Sequence, residues 1–137
     1  MLFRSNPSTT RPVHFLQIWI QPSAPGLTPS YEEKRFADEE KRGRLRIIAS
    51  PDSAEGSLHI NQDARVYAGL FDGSESARLL VKSGRRIYVH VARGAISANG
   101  VELAAGDALK VTDSDELVLT GGSNAEVLVF DLPGSDA

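Results

Sequence analysis

Hydrophobic and polar residues alternate with a period of two over most of this chain. From Leu45 onward the pattern divides into short runs at 45–49, 57–60, 64–70, 76–81, 85–92, 94–98, 101–103, 108–112, 116–120 and 125–131. Asp72-Gly73, Asn99-Gly100 and Gly121-Gly122 stand between runs, and such pairs supply the positive φ that tight hairpins need. Short strands at this spacing predict an all-β sandwich or barrel. Ahead of them, Val13 to Ile20 carries the strongest strand pattern of the chain, rich in β-branched and aromatic residues. Val13, Phe15 and Trp19 share one face, and Leu16, Ile18 and Ile20 the other. A strand apolar on both faces needs cover on both.

The remaining segments break the two-residue period. Residues 1–12 are polar and read as an extended arm. Gln21 to Pro29 holds three prolines and a glycine and predicts a loop. Ser30 to Arg42 predicts the one helix: Ser30 with Glu33 fits a capping box, Lys41 and Arg42 suit the C-terminal end, and Gly43 is a natural stop. Its apolar anchors are Tyr31, Phe36 and Ala37, which places it on the surface.

Composition narrows the function classes. The chain has 137 residues, 41% of them hydrophobic and 24% charged, which suits one globular domain and no membrane-spanning helix. The N-terminus shows no signal-peptide pattern. With no cysteine, disulfides, thiolate zinc sites and a cysteine nucleophile are excluded, and a cytoplasmic location follows by default. Residues 1–100 carry 14 Lys/Arg and 10 Asp/Glu, whereas residues 101–137 carry 1 and 8. An acidic C-terminal third argues against a nucleic-acid surface. The basic run Lys41 to Arg46 adjoins Glu39 and Glu40 and reads as a self-neutralising face.

Candidate chemistry is sparse. His14, His59 and His90 each stand alone on a predicted strand, with no His-x-His pair to place two ligands on one face. Asp113, Asp115 and Glu116 read as a solvated turn, short of the six to eight oxygens that calcium needs. Gly121-Gly122-Ser123 joins two predicted strands, so it reads as a hairpin turn, whereas phosphate loops lead into helices. Neither Gly-x-Ser-x-Gly nor Gly-x-Gly-x-x-Gly before a helix occurs.

The run Val13-His14-Phe15-Leu16-Gln17-Ile18-Trp19-Ile20, with Gly26-Leu27-Thr28-Pro29-Ser30-Tyr31 and Arg35-Phe36-Ala37-Asp38, resembles the pirin family. Ser50-Pro51-Asp52, Gly56-Ser57-Leu58, Gln62-Asp63-Ala64, Gly84-Arg85-Arg86, Asn99-Gly100, Gly106-Asp107 and Leu128-Val129-Phe130-Asp131-Leu132-Pro133 continue the likeness in order, over residues 6 to 133. Pirins are bicupins, often described as quercetin 2,3-dioxygenase-like. The resemblance implies a double-stranded β-helix, a jelly-roll-like barrel, over residues 13–133 as a single cupin domain, flanked by the arm 1–12 and the tail 134–137. It covers only the C-terminal cupin and the segment leading into it. In the family, iron is held by three His and one Glu of the N-terminal cupin, the last two in a His-Ser-Glu-x-Asn-Pro-Ser stretch. Those two positions fall here on Leu2 and Arg4, ahead of the matching Asn6, Pro7 and Ser8. The general cupin ligand pattern, laid on the remaining barrel, falls on Val81, Ser83, Ile87 and Leu117. Ile87, Val89 and Val91 then fill the interior, and Arg86, Tyr88 and His90 face away.

The expectation is a pirin-like cupin with no catalytic, cofactor or metal residues and no bound iron. It is expected to act as a structural or interaction module that self-associates through residues 13–20, the part that in a bicupin lies at the junction between domains. A metal-dependent quercetin 2,3-dioxygenase-type oxygenase follows from the resemblance alone. A metal-free small-molecule binder, with Arg65, Tyr67, Arg86 and Tyr88 as candidate lining, is the other alternative. An N-terminal cupin encoded upstream would alter all three.

Overall fold

The computed structural model describes residues 7–112 and 114–134. Eight strands follow one short helix: α1 (Asp38–Lys41), β1 (Arg46–Ser50), β2 (Leu58–His59), β3 (Arg65–Phe71), β4 (Ala77–Leu80), β5 (Arg85–Ala98), β6 (Val101–Ala104), β7 (Ala108–Val111) and β8 (Glu116–Pro133). They hydrogen-bond in the order β2-β1-β3-β8-β5-β6, with β4 also on β8 and β7 also on β5. The two long strands serve two layers. The first half of β5 pairs with β7 and with the second half of β8; its second half pairs with β6 and with the start of β8. β3 continues the first layer and β4 the second. The all-β, jelly-roll-like expectation therefore holds.

The predicted runs 85–92 and 94–98 fuse into β5, and 116–120 and 125–131 fuse into β8. Gly121-Gly122 is accordingly no hairpin turn. Both strands bend where they cross: β5 shifts register between Val91 and Ser97, and Gly121 and Asn124 adopt positive φ within β8. Gly94, at φ +72°, lies so close that a Cβ would run into the carbonyl oxygens of Ser123 and Asn124. Glycine here permits the approach of two backbones, the role it commonly has at strand bends. Asn99-Gly100 does form the tight β5–β6 hairpin, with φ of 48° and 82°. The Asn99 side chain accepts from Val118 N–H at 2.7 Å and donates to the Glu116 carbonyl at 3.1 Å, fixing the turn against β8.

The interior is one apolar cluster. Phe71, Ile87, Val89, Val91, Leu119, Val127 and Val129 meet at its centre and are almost wholly buried. The inward placement of Ile87, Val89 and Val91 agrees with the alternation. A smaller cluster of Ala49, Val66 and Phe130 lies on the outer face of the first layer.

Two expected elements do not form. Residues 13–20 run without sheet pairing. Their Ile20 packs over the outer cluster, across the face of the sheet and not beside an edge, so no ladder is available to them. Helix 30–42 shortens to α1, and residues 30–36 are not helical. With few apolar anchors, packing cannot sustain the longer helix. Its polar groups bond elsewhere. Glu32 accepts from the His59 N–H at 2.9 Å, Tyr31 donates to Glu33 at 2.7 Å, and the Phe36 ring sits 5.0 Å beneath Arg46. Glu40, not Glu33, receives a backbone N–H from three residues earlier, that of Ala37.

Candidate functional site

The barrel interior is the first place to seek a metal. Of the four positions that the cupin pattern selects, Val81, Ile87 and Leu117 are buried members of the apolar cluster, and Ser83 is exposed in the β4–β5 turn. Carbon-only side chains offer no donor, so these positions do not fit a metal ion. The histidines are scattered. His14 Nδ1 accepts from Arg93 Nε at 3.2 Å, His59 is exposed on β2, and His90 faces outward on β5. Among the described residues no three His, Asp, Glu or Cys side chains converge. Glu116 pairs with Arg78 at 3.2 Å, and Asp115 is exposed. Leu2, Arg4 and Asp113 lie outside the described residues.

Several of the stretches that resemble pirins hold the chain in place. Buried Ser50 and Ser57 bond hydroxyl to hydroxyl at 2.7 Å, and Ser50 Oγ also receives the Ala54 N–H. The hydrogen bond from Ser50 holds the Asp52 carboxyl below its usual range. Asp107 accepts the Ala104 N–H at 2.9 Å and closes the β6–β7 turn.

Charge collects instead at one mouth of the barrel. The inward row of β5 begins with Arg85, and that of β8 runs Val127, Val129, Asp131. Asp131 is a buried carboxylate, only 8% exposed. Arg85 Nε donates to it at 2.8 Å, Nη1 donates to Asp63 at 2.6 Å, and Nη2 donates to both residues' carbonyls at 3.1 Å. Burial alone would lower the Arg85 guanidinium; the hydrogen bonds and charges of Asp131 and Asp63 outweigh it and raise it above its usual value. Arg65 sits opposite Asp131 across the β3–β8 pairing, and Tyr67 follows one inward step along. Burial first, then the charge of Asp131, raises the Tyr67 hydroxyl above its ordinary value. Arg65, Tyr67, Lys82 and Arg85 line a cavity of about 380 Å³ with the two aspartates.

The four predicted pocket residues therefore separate. Arg65 and Tyr67 meet at this mouth. Arg86 is exposed on a neighbouring cavity of about 710 Å³, and Tyr88 lies outside against Phe130, edge-on at 5.9 Å. Asp63, Arg85 and Asp131 stand in stretches that carry the pirin resemblance, but neither they nor Lys82 are among the pocket residues that the sequence predicts. Their signal is a charge in phase with an apolar inward row: Arg85 before Ile87 and Val89, Asp131 after Val127 and Val129.

The outer face forms the third region. Ile18, Trp19 and Ile20 flank a shallow groove floored by Tyr88, Phe130 and Leu132. Polar tethers hold the segment there, from Gln62 Nε2 to the Gln21 carbonyl at 2.9 Å and from Ser23 N–H to the Asn61 carbonyl at 2.7 Å. Trp19 is nonetheless 86% exposed and Phe15 57%.

Comparison with known proteins agrees with this architecture. Residues 47–132 match the family described as quercetinase C-terminal cupin domain. A quercetin 2,3-dioxygenase of Escherichia coli K12 is 36% identical over 128 residues, covering 93% of this chain and 54% of that relative. The crystal structure of YhhW from Escherichia coli superposes with a TM-score of 0.79 at 32% identity, over 87% of this chain and 50% of that one. The bacterial pirin YhhW in complex with nickel(II) gives 0.78 at 34%, over 85% and 49%. The chain thus spans about half the length of the relatives it matches. Among the described residues no helix is long and apolar enough to cross a membrane.

Proposed function

The chain belongs to the pirin family through its quercetinase-type C-terminal cupin domain, and on that premise we propose that it is a non-catalytic interaction module that associates with a second copy of itself. The observation that carries this reading is the outer face. Five large apolar side chains of one segment, Val13, Phe15, Leu16, Ile18 and Trp19, are exposed, and Ile18 and Trp19 flank a groove floored by Tyr88 and Phe130. Exposed apolar area concentrated in one place marks an interaction surface. Aromatic anchors are the side chains that carry most interface energy. A two-fold contact would let each copy's Trp19 cover the other's groove, with one patch serving both sides.

The same proposal holds that the barrel works without iron or another metal, because the interior positions of the cupin pattern carry hydrocarbon. Direct nucleic-acid binding and membrane attachment form no part of it. A cytoplasmic setting does: a cysteine-free chain gains no disulfides from an oxidising compartment. The dioxygenase reading takes its support from the names of the similar proteins alone.

Light scattering after size exclusion at micromolar concentration tests the association. We expect a particle of twice 14.8 kDa, reverting to 14.8 kDa in Trp19→Asp. A wild-type mass of 14.8 kDa would overturn the association, and stoichiometric iron in the purified protein would overturn the metal-free reading.

A further inference from the structure

The barrel mouth holds donors that its own carboxylates leave without a hydrogen bond. Arg85 is committed, with four hydrogen bonds to Asp63 and Asp131 and their carbonyls. Arg65 is not. Its nearest carboxylate oxygen, on Asp63, is 3.8 Å away, beyond hydrogen-bond length. The Lys82 ammonium has no ion pair and the Tyr67 hydroxyl no hydrogen bond among the described residues. All three line the same cavity of about 380 Å³. Three cations, Arg65, Lys82 and Arg85, and two carboxylates line the cavity, and the charges of Asp52 and Glu55 also reach Arg65 and Tyr67; what the lining leaves over is hydrogen-bond donors.

We propose that this mouth binds a small organic carboxylate with an apolar body. The unused donors of Arg65, Lys82 and Tyr67 call for an acceptor, and two of the three are cations. A planar carboxylate matches the fork of the Arg65 guanidinium, and charge-assisted bonds of this kind are the strong ones. Lys82 supplies a second cation from the β4–β5 turn. The Tyr67 hydroxyl is held protonated by its burial and by the nearby Asp131 charge, so it serves as a donor at neutral pH. The apolar part of the ligand also has a seat. Leu80 lines the cavity and is 75% exposed, on the face of β4 opposite to the core-packed Ala77 and Leu79. Together with the Tyr67 ring it adds hydrocarbon to the cavity lining. The volume falls within the range of small-molecule sites and suits an acid with a single ring.

This inference is independent of the outer face, since the mouth opens at the end of the barrel and the association surface lies on its side. The test is a benzoate titration of the full chain followed by amide NMR, with acetate and inorganic phosphate as comparison anions. The expected result is saturable shifts confined to residues 63–67, 80–85 and 131, with benzoate tighter than acetate or phosphate. Lys82→Gln changes an exposed side chain and leaves the fold intact; it should weaken benzoate about tenfold, and Arg65→Gln at least as much, since each removes a bond to a charged group. Leu80→Ser should weaken benzoate and leave acetate unchanged. Absence of saturable benzoate shifts would overturn the proposal, as would benzoate affinity unchanged in both cation variants. Phosphate binding as tightly as benzoate would overturn it too, by marking a general anion site.

Discussion

Along β5, alternate residues meet two unlike surroundings. Ile87, Val89 and Val91 belong to the apolar interior cluster and keep almost no exposed surface. Tyr88 and His90, from the same strand, face an outer layer whose cover is one unpaired segment. The inner side is saturated with contacts and the outer side is not. Hydrophobicity alone does not distinguish the two, because residues 13–20 are as apolar as any core strand. What distinguishes them is whether the backbone found a ladder. A strand inside the barrel closes both its hydrogen bonds and its side-chain contacts. The segment over the outer face closes neither fully, and its side chains stay available.

If this contrast is right, substitutions inside should cost stability, and those outside should cost association. The largest loss is expected at the charged end of the inner row. Arg85→Met leaves Asp131 buried without its cation, and breaking such a pair costs about 3–5 kcal/mol, measurable by urea denaturation. Leu117→Ala, at the centre of the same cluster, should cost about 2–5 kcal/mol, according to how far the cavity collapses. A loss near zero there would show a loosely filled interior and weaken the contrast. Tyr88→Leu keeps apolar bulk on the outer face and removes the ring–ring contact with Phe130, so about 1 kcal/mol is expected.

Trp19→Ala should change the stability of the monomer by less than about 0.5 kcal/mol while shifting the monomer–dimer balance. A large stability loss from Trp19→Ala would mean that the segment belongs to the core after all. The smallest effect concerns pH. Tyr67 has a folded-state value raised above 10.0. Below pH 10 the hydroxyl is neutral in both states, and between the unfolded and folded values the unfolded chain has lost the proton that the native one keeps. Stability therefore falls as the pH rises above 10 through the folded value. Tyr67→Phe should flatten that alkaline fall in Tm, and an unchanged slope would count against the burial of the hydroxyl.

The parts of the fold legible in sequence are those that local rules decide. Alternation placed Ile87, Val89 and Val91 inward, and Asn99-Gly100 announced its hairpin through backbone conformation alone. The failures occur where distant parts of the chain compete. Val13 to Ile20 has the strongest strand pattern, yet its partner surface is a sheet face and not an edge, which no local pattern encodes. Gly121-Gly122 resembles a turn because glycine serves turns and bends alike. Only the approach of Gly94 to Ser123 and Asn124 tells the two apart. The Arg85–Asp131 pair joins residues 46 positions apart; its trace in the sequence is a charge at each end of an apolar row.

The crossing of β5 and β8 also bears on how the chain folds. Because each strand contributes one half to each layer, neither layer can be completed without the other. Unfolding should therefore be a single event, with amide protons of Ile87, Val89, Val127 and Val129 exchanging at the rate of global opening. The pairing of β5 with β8 joins residues distant in sequence, from Ala98 with Leu119 to Arg85 with Pro133. The closure entropy must be spent before the contacts repay it, which places the chain among slow folders, on the millisecond-to-second scale typical of such topologies.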